Sequence, residues 1–305
     1  MINGIINVYK EKGFTSFDVV AKMRGMFHQK KIGHTGTLDP DAEGVLPVCL
    51  GRATKVCDLL TDKSKVYETV LLLGKVTDTQ DISGTVLQEK EVNLSEKEVN
   101  NTILSFVGPY DQIPPMYSAL KVNGRKLYDL AREGITVERK ARPVTIHSIE
   151  ILSVELPEVH MRVACSKGTY IRTLCQDIGE KLGCGGCMKE LLRTRVAAFE
   201  LKDAWKLSEL EAYLKEHPDS DWKQYPFCHT IDSVFEDHPS FSVIQEADPL
   251  LYNGNKLPLN FISGPVVPDC GRAFRLYDCR GVFCGIYVRK EEDESIKPVK
   301  IFFEK

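Results

Sequence analysis

Between Gly33 and Pro47 the chain places one histidine and three carboxylates, His34, Asp39, Asp41 and Glu43, in a segment that also holds three glycines. Carboxylates can act as nucleophiles or as general acids and bases, and a histidine can carry protons or fill a polar crevice. Asp39 precedes Pro40, which biases it toward extended backbone, and the flanking glycines permit a tight path that could turn its carboxylate toward a cleft. Taken alone, the pattern fits a turn-capping aspartate better than a nucleophile, because Asp-Pro and Gly turns are common. A glycosidase-like pair has little support: Asp39, Asp41 and Glu43 are close neighbours, and nothing sets two of them across a bond. The sequence has no HExxH, GxSxG or GxxxxGK[ST], so zinc-protease, serine-hydrolase and P-loop chemistry find no motif.

Elements that could hold this segment can be read on both sides. Residues 4–9 form a short apolar strand, followed by a turn. Thr15 and Asp18 then make a capping box for a helix with Val20, Met23 and Phe27 on one face. Residues 33–51 read as a structured loop entering a buried stretch. A helix is expected over 53–60, a strong strand over 66–73 and a turn over 77–84. Ser95 and Glu98 cap another helix, and a short basic helix lies near 127–132. Strands are expected at 144–154 and 160–165. A helix from Thr169 carries Ile171, Leu174, Ile178 and Leu182 on its apolar side and closes at Gly183. The last helix of this part is assigned a cap at Ser208 with Glu211. A polar linker follows at 217–225, and then short strands that include a hairpin over 274–288.

At 305 residues, with 43% hydrophobic and 27% charged residues, the composition is that of a folded protein with a large domain and a small one. No apolar run approaches the length of a spanning helix, and the first residues lack the pattern of a signal peptide, so a cytoplasmic protein is expected. Ten cysteines without a secretion signal read as reduced core thiols. The pair Cys184 and Cys187 has metal-ligand spacing but no second pair to complete four ligands, and no metal is expected. The net charge of −3 does not announce a nucleic-acid binder. Residues 121–142 nevertheless hold seven basic residues against three acidic ones, equally readable as a phosphate-binding face or as an ordinary solvated surface.

The ordered blocks Gly33 to Pro40 and Gly44 to Lys55 resemble the signature of bacterial TruB-type pseudouridine synthases. Later blocks follow in the family's order. They are Tyr67, the Thr77-Asp78-Thr79 turn, Tyr117 to Lys121 with Gly124, Leu127 and Tyr128, Arg142-Pro143, and Cys165 to Thr173. The resemblance runs over about residues 4–200 and implies an α+β fold. Its parts would be a central mixed, largely antiparallel sheet flanked by helices, and a small C-terminal PUA-like β domain. The corresponding division is a catalytic domain over 1–225, with an RNA-binding insertion near 115–145, and an RNA-binding domain over 235–305.

The activity implied is isomerisation of uridine 55 in the T loop of tRNA, without cofactor or metal, by a monomer that needs no guide RNA and no membrane. Asp39 matches the essential aspartate that attacks the nucleotide, so that the base leaves through N1, turns and rejoins the ribose through C5. An ionised carboxylate in a site that excludes water needs a cation beside it. Arg172 matches that cation, and Tyr170 the tyrosine that stacks on the substrate and takes the C5 proton. Tyr67 matches a base-stacking tyrosine, Leu191 an apolar residue of the pocket, and His34 a histidine that fills the space left by flipped bases. Lys121 and Arg142 fall within the stretch similar to the family's mobile insertion, which tips that stretch toward RNA binding. Asp41 and Glu43 depart from the family's usual Leu and Thr, and Leu192 stands where an arginine is common, with Arg193 and Arg195 as expected substitutes toward phosphate. A catalytically silent RNA-binding protein of the same fold and a guide-RNA-dependent relative are the alternatives. Intact Asp39, Tyr67, Tyr170 and Arg172 speak against the first, and the Thr-containing motif and lack of long basic tails against the second.

Overall fold

The computed structural model describes residues 1–264, 266–290 and 294–303. Its centre is a ten-stranded sheet whose main path runs Cys228–His229, Ile5–Lys10, Glu43–Leu50, Gly186–Val196, Lys65–Leu73, Glu158–Cys165, Arg142–Glu155 and Gly108–Gln112. Every pairing in it is antiparallel except the short one between Glu43–Leu50 and Gly186–Val196, where Leu192 faces Glu43 and Arg193 faces Gly44. The sheet is therefore mixed and largely antiparallel, with one parallel seam near its middle.

Alternation along the strands divides the core. Ile6, Val8, Leu46 and Val48 pack against the helices Ser16–Met26 and Leu207–Glu216. Ile5, Val45 and Cys49 point the other way, into a cluster with Val196, Phe199, Ile231 and Phe235. That cluster also takes in Ile286 and Phe302, and so joins the C-terminal sheet to the large one. Beyond the seam, Tyr67, Leu71, Met161 and Val163 share a core with Leu174 and Ile178 of the helix Ile171–Lys181 and with Leu38.

The C-terminal sheet has the order Ser240–Ser242, Ala273–Tyr277, Phe283–Arg289, Ser295–Ile301, Leu257–Pro258. Its hairpin turn is pinned by the buried Asp278, whose Oδ1 accepts from the backbone N–H groups of Arg280 at 2.9 Å and Val282 at 2.8 Å.

Several expectations shift in detail. The helix expected over 53–60 is a 3₁₀ turn at Gly51–Val56 followed by the α-helix Cys57–Thr61. The expected turn over 77–84 is flanked by a small hairpin of Lys75–Thr77 and Val86–Glu89. The capping boxes of Thr15 with Asp18 and of Ser95 with Glu98 are both present. The cap expected at Ser208 lies two residues earlier, where the Lys206 N–H donates to Glu209 at 2.8 Å, because Leu207 is itself drawn into the core. All ten cysteines are free, and among the described residues no three His, Cys, Asp or Glu side chains converge as metal ligands. No helix among the described residues is long and apolar enough to cross a membrane.

Candidate active site

Asp39 sits in the loop that connects the short strand Ile32–His34 to the strand Glu43–Leu50, beside the parallel seam. The loop is fastened from beneath by buried groups aimed at its backbone. Lys10 is fully buried, and its Nζ donates to the carbonyls of Ala42 at 2.6 Å, Pro40 at 3.1 Å and Glu11 at 3.1 Å. Ser16 Oγ accepts from the Leu38 N–H at 2.9 Å, and the Leu38 side chain is anchored in the core. The residues on either side of Asp39 are thus held while its own side chain projects from the loop. Burial lowers the Lys10 amine to about 8, a shift opposed by Glu43, Asp39 and Asp41.

The seam explains one glycine. Gly44 has φ +105°, and a Cβ there would lie 2.2 Å from the Arg193 carbonyl oxygen, so no other residue lets the two parallel strands meet. Arg193 is itself buried. Its Nε donates to Val45 O at 2.7 Å and a terminal nitrogen donates to Gly36 O at 3.2 Å, with the Tyr67 phenol beside the guanidinium. The expectation that Arg193 meets phosphate is therefore wrong. Its donors are turned inward onto carbonyls of the 36–45 segment, which no RNA can displace without unmaking the loop.

Arg172 reaches Asp39 from the first turn of the helix Ile171–Lys181. The contact is two-pronged, Nε to Oδ2 at 3.0 Å and Nη2 to Oδ1 at 3.1 Å. The guanidinium is further held by Thr79 O at 3.1 Å and Tyr117 O at 2.9 Å, with Asp81 at 3.6 Å. Side-chain exposure is 6% for Arg172 but 37% for Asp39, so the cation is locked in place while the carboxylate keeps an open side. Burial pushes the Asp39 carboxyl above its ordinary value; Arg172 and Lys10 pull it down, and Asp81 and Asp41 push it up.

The remaining predicted residues divide into two groups. Tyr67, on Lys65–Leu73, is buried beside Leu38 with half-buried Leu191 packed on the same cluster. Burial raises its phenol, and the Arg193 guanidinium beside it opposes that. Tyr170 is the N-cap of the Arg172 helix; burial raises its phenol, while the cations Arg172 and Arg142 work the other way. His34 accepts from the Gly36 N–H at 3.3 Å, and burial holds its imidazole below the ordinary value, which favours the neutral ring. Asp39 and Arg172 thus meet directly, Tyr67 and Tyr170 lie near enough to feel the Asp39 charge, Leu191 packs on the Tyr67 cluster, and His34 lies at the base of the Asp39 loop.

Lys121 stands apart. It belongs to the 113–141 segment, inserted between the neighbouring strands Gly108–Gln112 and Arg142–Glu155. There Lys121–Val122 and Arg125–Lys126 form a tight hairpin around Asn123 and Gly124, both at positive φ, ahead of the helix Leu127–Arg132. Lys121, Arg125, Lys126 and Arg132 line an open groove of about 570 Å³ together with Asp129 and Glu133. Arg142 is exposed at the neck of this insertion, opposite Gln112.

Residues 24–171 match the TruB family pseudouridylate synthase N-terminal domain, and residues 172–235 match the tRNA pseudouridylate synthase B C-terminal domain. The chain belongs to the TruB family of tRNA pseudouridine synthases. It is accordingly an isomerase that acts on tRNA. Similar relatives, each named tRNA pseudouridine synthase B, come from Lachnoclostridium phytofermentans, 54% identical with 99% of this chain and 100% of the relative covered, and from Clostridium perfringens, 45% identical with 98% and 99% covered. Among solved structures, a Cbf5-Nop10-Gar1 complex is similar with a TM-score of 0.72 at 25% identity, covering 98% of this chain and 85% of that one. An H/ACA RNP bound to a substrate RNA containing 2'-deoxyuridine has the same TM-score at 23% identity, covers 99% and 85%, and bears on the fold alone. The TruB-type fold expected from the ordered blocks is thus the one found.

Proposed function

We propose that this TruB-family enzyme isomerises uridine 55 in the T loop of tRNA with Asp39 as the nucleophile. The observation that carries the reading is the two-pronged Arg172 contact, which favours the charged form of a partly open carboxylate against the effect of burial. The target base is flipped into the site, where Tyr67 and Leu191 offer it an aromatic and an apolar wall. Asp39 attacks the nucleotide, the bond between N1 and the ribose breaks, the base turns, and C5 takes the place of N1. Tyr170 takes the C5 proton. As it does so the phenol passes its own proton to water on the open side of the site, and Arg172 and Arg142 beside it lower the cost of charge on its oxygen, against burial, which raises it.

Neutral His34 supports the T loop from which bases have been drawn, and Lys121, Arg142 and their basic neighbours in the insertion bind its phosphates. The division of labour is a catalytic domain over 1–225 with the insertion near 115–145, and a PUA-like RNA-binding domain over 235–305. The enzyme works as a cytoplasmic monomer, without cofactor, metal or guide RNA. The test is to incubate unmodified tRNA with the protein and map pseudouridine. Asp39→Asn is expected to abolish the product while tRNA still binds, and a substrate with cytidine in place of the T-loop uridine is expected to stay unmodified. Activity in Asp39→Asn, or product at another position, overturns the assignment.

A further inference from the structure

Gln112 is a polar side chain with almost no exposure, at the end of the edge strand Gly108–Gln112 and directly before the insertion. Its amide closes on the main chain of Tyr170 like a short piece of β-ladder. Oε1 accepts from the Tyr170 N–H at 2.7 Å, and Nε2 donates to the Tyr170 carbonyl at 3.0 Å. The second Nε2 hydrogen goes to the Tyr110 hydroxyl at 2.7 Å, and that hydroxyl donates to Asp177 Oδ2 at 2.8 Å. Tyr110 and Gln112 are two apart on one strand and share a face, while Tyr170 and Asp177 lie at the cap and in the second turn of one helix. The strand therefore grips the helix that carries Arg172 at two points.

The directions of these bonds agree throughout. An ionised Asp177 can only accept, so the Tyr110 hydroxyl donates to it and offers its oxygen to the amide nitrogen of Gln112. That turns Oε1 toward the Tyr170 N–H, a group that can only donate. The N-cap of this helix has no side-chain cap of its own, and Gln112 satisfies the open N–H from a distant strand. An apolar residue of equal volume would leave the Tyr170 N–H and carbonyl without the partners that this amide supplies. Packing alone does not account for it.

Resting on the assignment of Tyr170 and Arg172 to catalysis, we infer that Gln112 is a positioning residue for the reaction, oriented by Tyr110 and Asp177. It fixes the backbone at Tyr170, so that the phenol and the Arg172 guanidinium two residues on keep their places over Asp39. It does so at the root of the insertion, so RNA contacts made beyond residue 113 act on a strand whose end stays tied to the catalytic helix. The backbone carbonyl of Tyr117, within that insertion, touches Arg172 directly, so without the Gln112 clasp a displacement of the insertion would reach the catalytic pair.

The test compares Gln112→Ala, Gln112→Glu and Tyr110→Phe with the parent enzyme on full-length tRNA, reading kcat, KM, tRNA affinity and thermal melting, with Asp39→Asn run alongside. Gln112→Glu keeps the size of the side chain but removes both donors, and Tyr110→Phe removes only the hydroxyl that orients the amide. The expected result is kcat lowered about 10- to 100-fold in both Gln112 variants and by a smaller factor in Tyr110→Phe. KM and tRNA affinity stay within about two-fold in all three. A variant of Gln112 that is folded at the assay temperature and turns over at the parent rate overturns the inference. So does a loss that falls on KM and affinity with kcat unchanged. Should Gln112→Ala fail to fold, Tyr110→Phe decides: parent-like kcat overturns the inference and a lowered kcat at unchanged KM upholds it. Activity retained in Asp39→Asn would instead count against the nucleophile assignment, and the two failures are told apart.

Discussion

Replacing Arg172 by lysine tests the site's central electrostatic claim, because it keeps the charge and removes the geometry. The guanidinium makes four bonds of 2.9–3.1 Å, two to the Asp39 carboxylate and one each to Thr79 O and Tyr117 O. A lysine ammonium has three donors on one nitrogen at the end of a flexible stem, and cannot span both carboxylate oxygens and two carbonyls. About two of the four bonds are lost. At roughly 1.5–3 kcal/mol for each bond to a charged group, partly offset by entering water, the loss is about 3 kcal/mol. If most of it falls on the placement of Asp39, kcat drops about 100-fold, which is ~2.7 kcal/mol. The acid limb of the pH–rate profile should move as well. Asp39 already lies above the usual carboxylate value, and Arg172 is the largest influence holding it down, so a weaker cation raises it further and activity is lost at higher pH than in the parent. Asp81→Asn should shift the limb the opposite way, since Asp81 raises Asp39 by like charge. Single-turnover rates from pH 4.5 to 8 on unmodified tRNA would measure both, with thermal melting to confirm folding. An Arg172→Lys enzyme with parent kcat and an unmoved acid limb would refute the reasoning.

Two further outcomes follow from buried and exposed cations. Lys10, depressed to about 8 from the ordinary lysine value of 10.5, binds fewer protons folded than unfolded between those values, so its contribution makes the fold more stable as pH rises through that window. The difference between parent and Lys10→Met is the observable, because Lys65 is also lowered to about 8 by burial. Chemical denaturation should show the parent gaining on the variant by at most about 3 kcal/mol between pH 8 and 10.5, and parallel curves would remove Lys10 as the cause. In the insertion, alanine at Lys121, Arg125, Lys126 and Arg132 should weaken tRNA binding and lessen the dependence of log affinity on log salt by about one for each lost phosphate contact. An unchanged salt slope would show that this groove does not meet the RNA backbone.

The ordered blocks carried most of the site, since Asp39, Tyr67, Tyr170 and Arg172 all fall within them. What fastens the site was not legible, for a physical reason. Lys10 and Arg193 have the composition of surface residues, and their partners are backbone carbonyls, which carry no side-chain signature; Val45 O lies 148 positions from Arg193. Gln112 sat unremarked at the end of a five-residue strand, because its partners are the main chain of Tyr170 and a tyrosine on its own strand. Gly44 lies within one of the ordered blocks, but only the pairing of its strand with Arg193 explains why the position requires glycine. The parallel seam joins segments about 150 residues apart, a distance over which hydrophobic alternation carries no information about neighbours. Local signals did better: the Thr15 and Ser95 capping boxes act within a single turn and were read directly.

The acidic neighbours of Asp39 now have separate accounts. Glu43 accepts from the Tyr9 hydroxyl at 3.2 Å and is among the charges that favour the protonated form of Lys10, so it belongs to the support of the loop and not to the RNA path. Asp41 is exposed, and of the two it is the carboxylate left facing solvent. Around Asp39 the nearby carboxylates Asp41, Glu43 and Asp81 are set against Arg172, Lys10 and Arg193, and of these cations only Arg172 touches the nucleophile while the other two serve backbone. Such a site is close to charge balance and does not attract a polyanion by itself. Attraction then has to come from elsewhere, and the insertion, with four basic and two acidic residues around one groove, is one described surface with a positive excess. On the proposed reading, chemistry and capture fall to different parts of the chain: a site whose backbone is tied down by Lys10, Ser16, Arg193 and Gln112, and a basic appendage rooted at the residue that holds Tyr170. Changes in the appendage should alter affinity and its salt dependence, and changes in the ties should alter turnover.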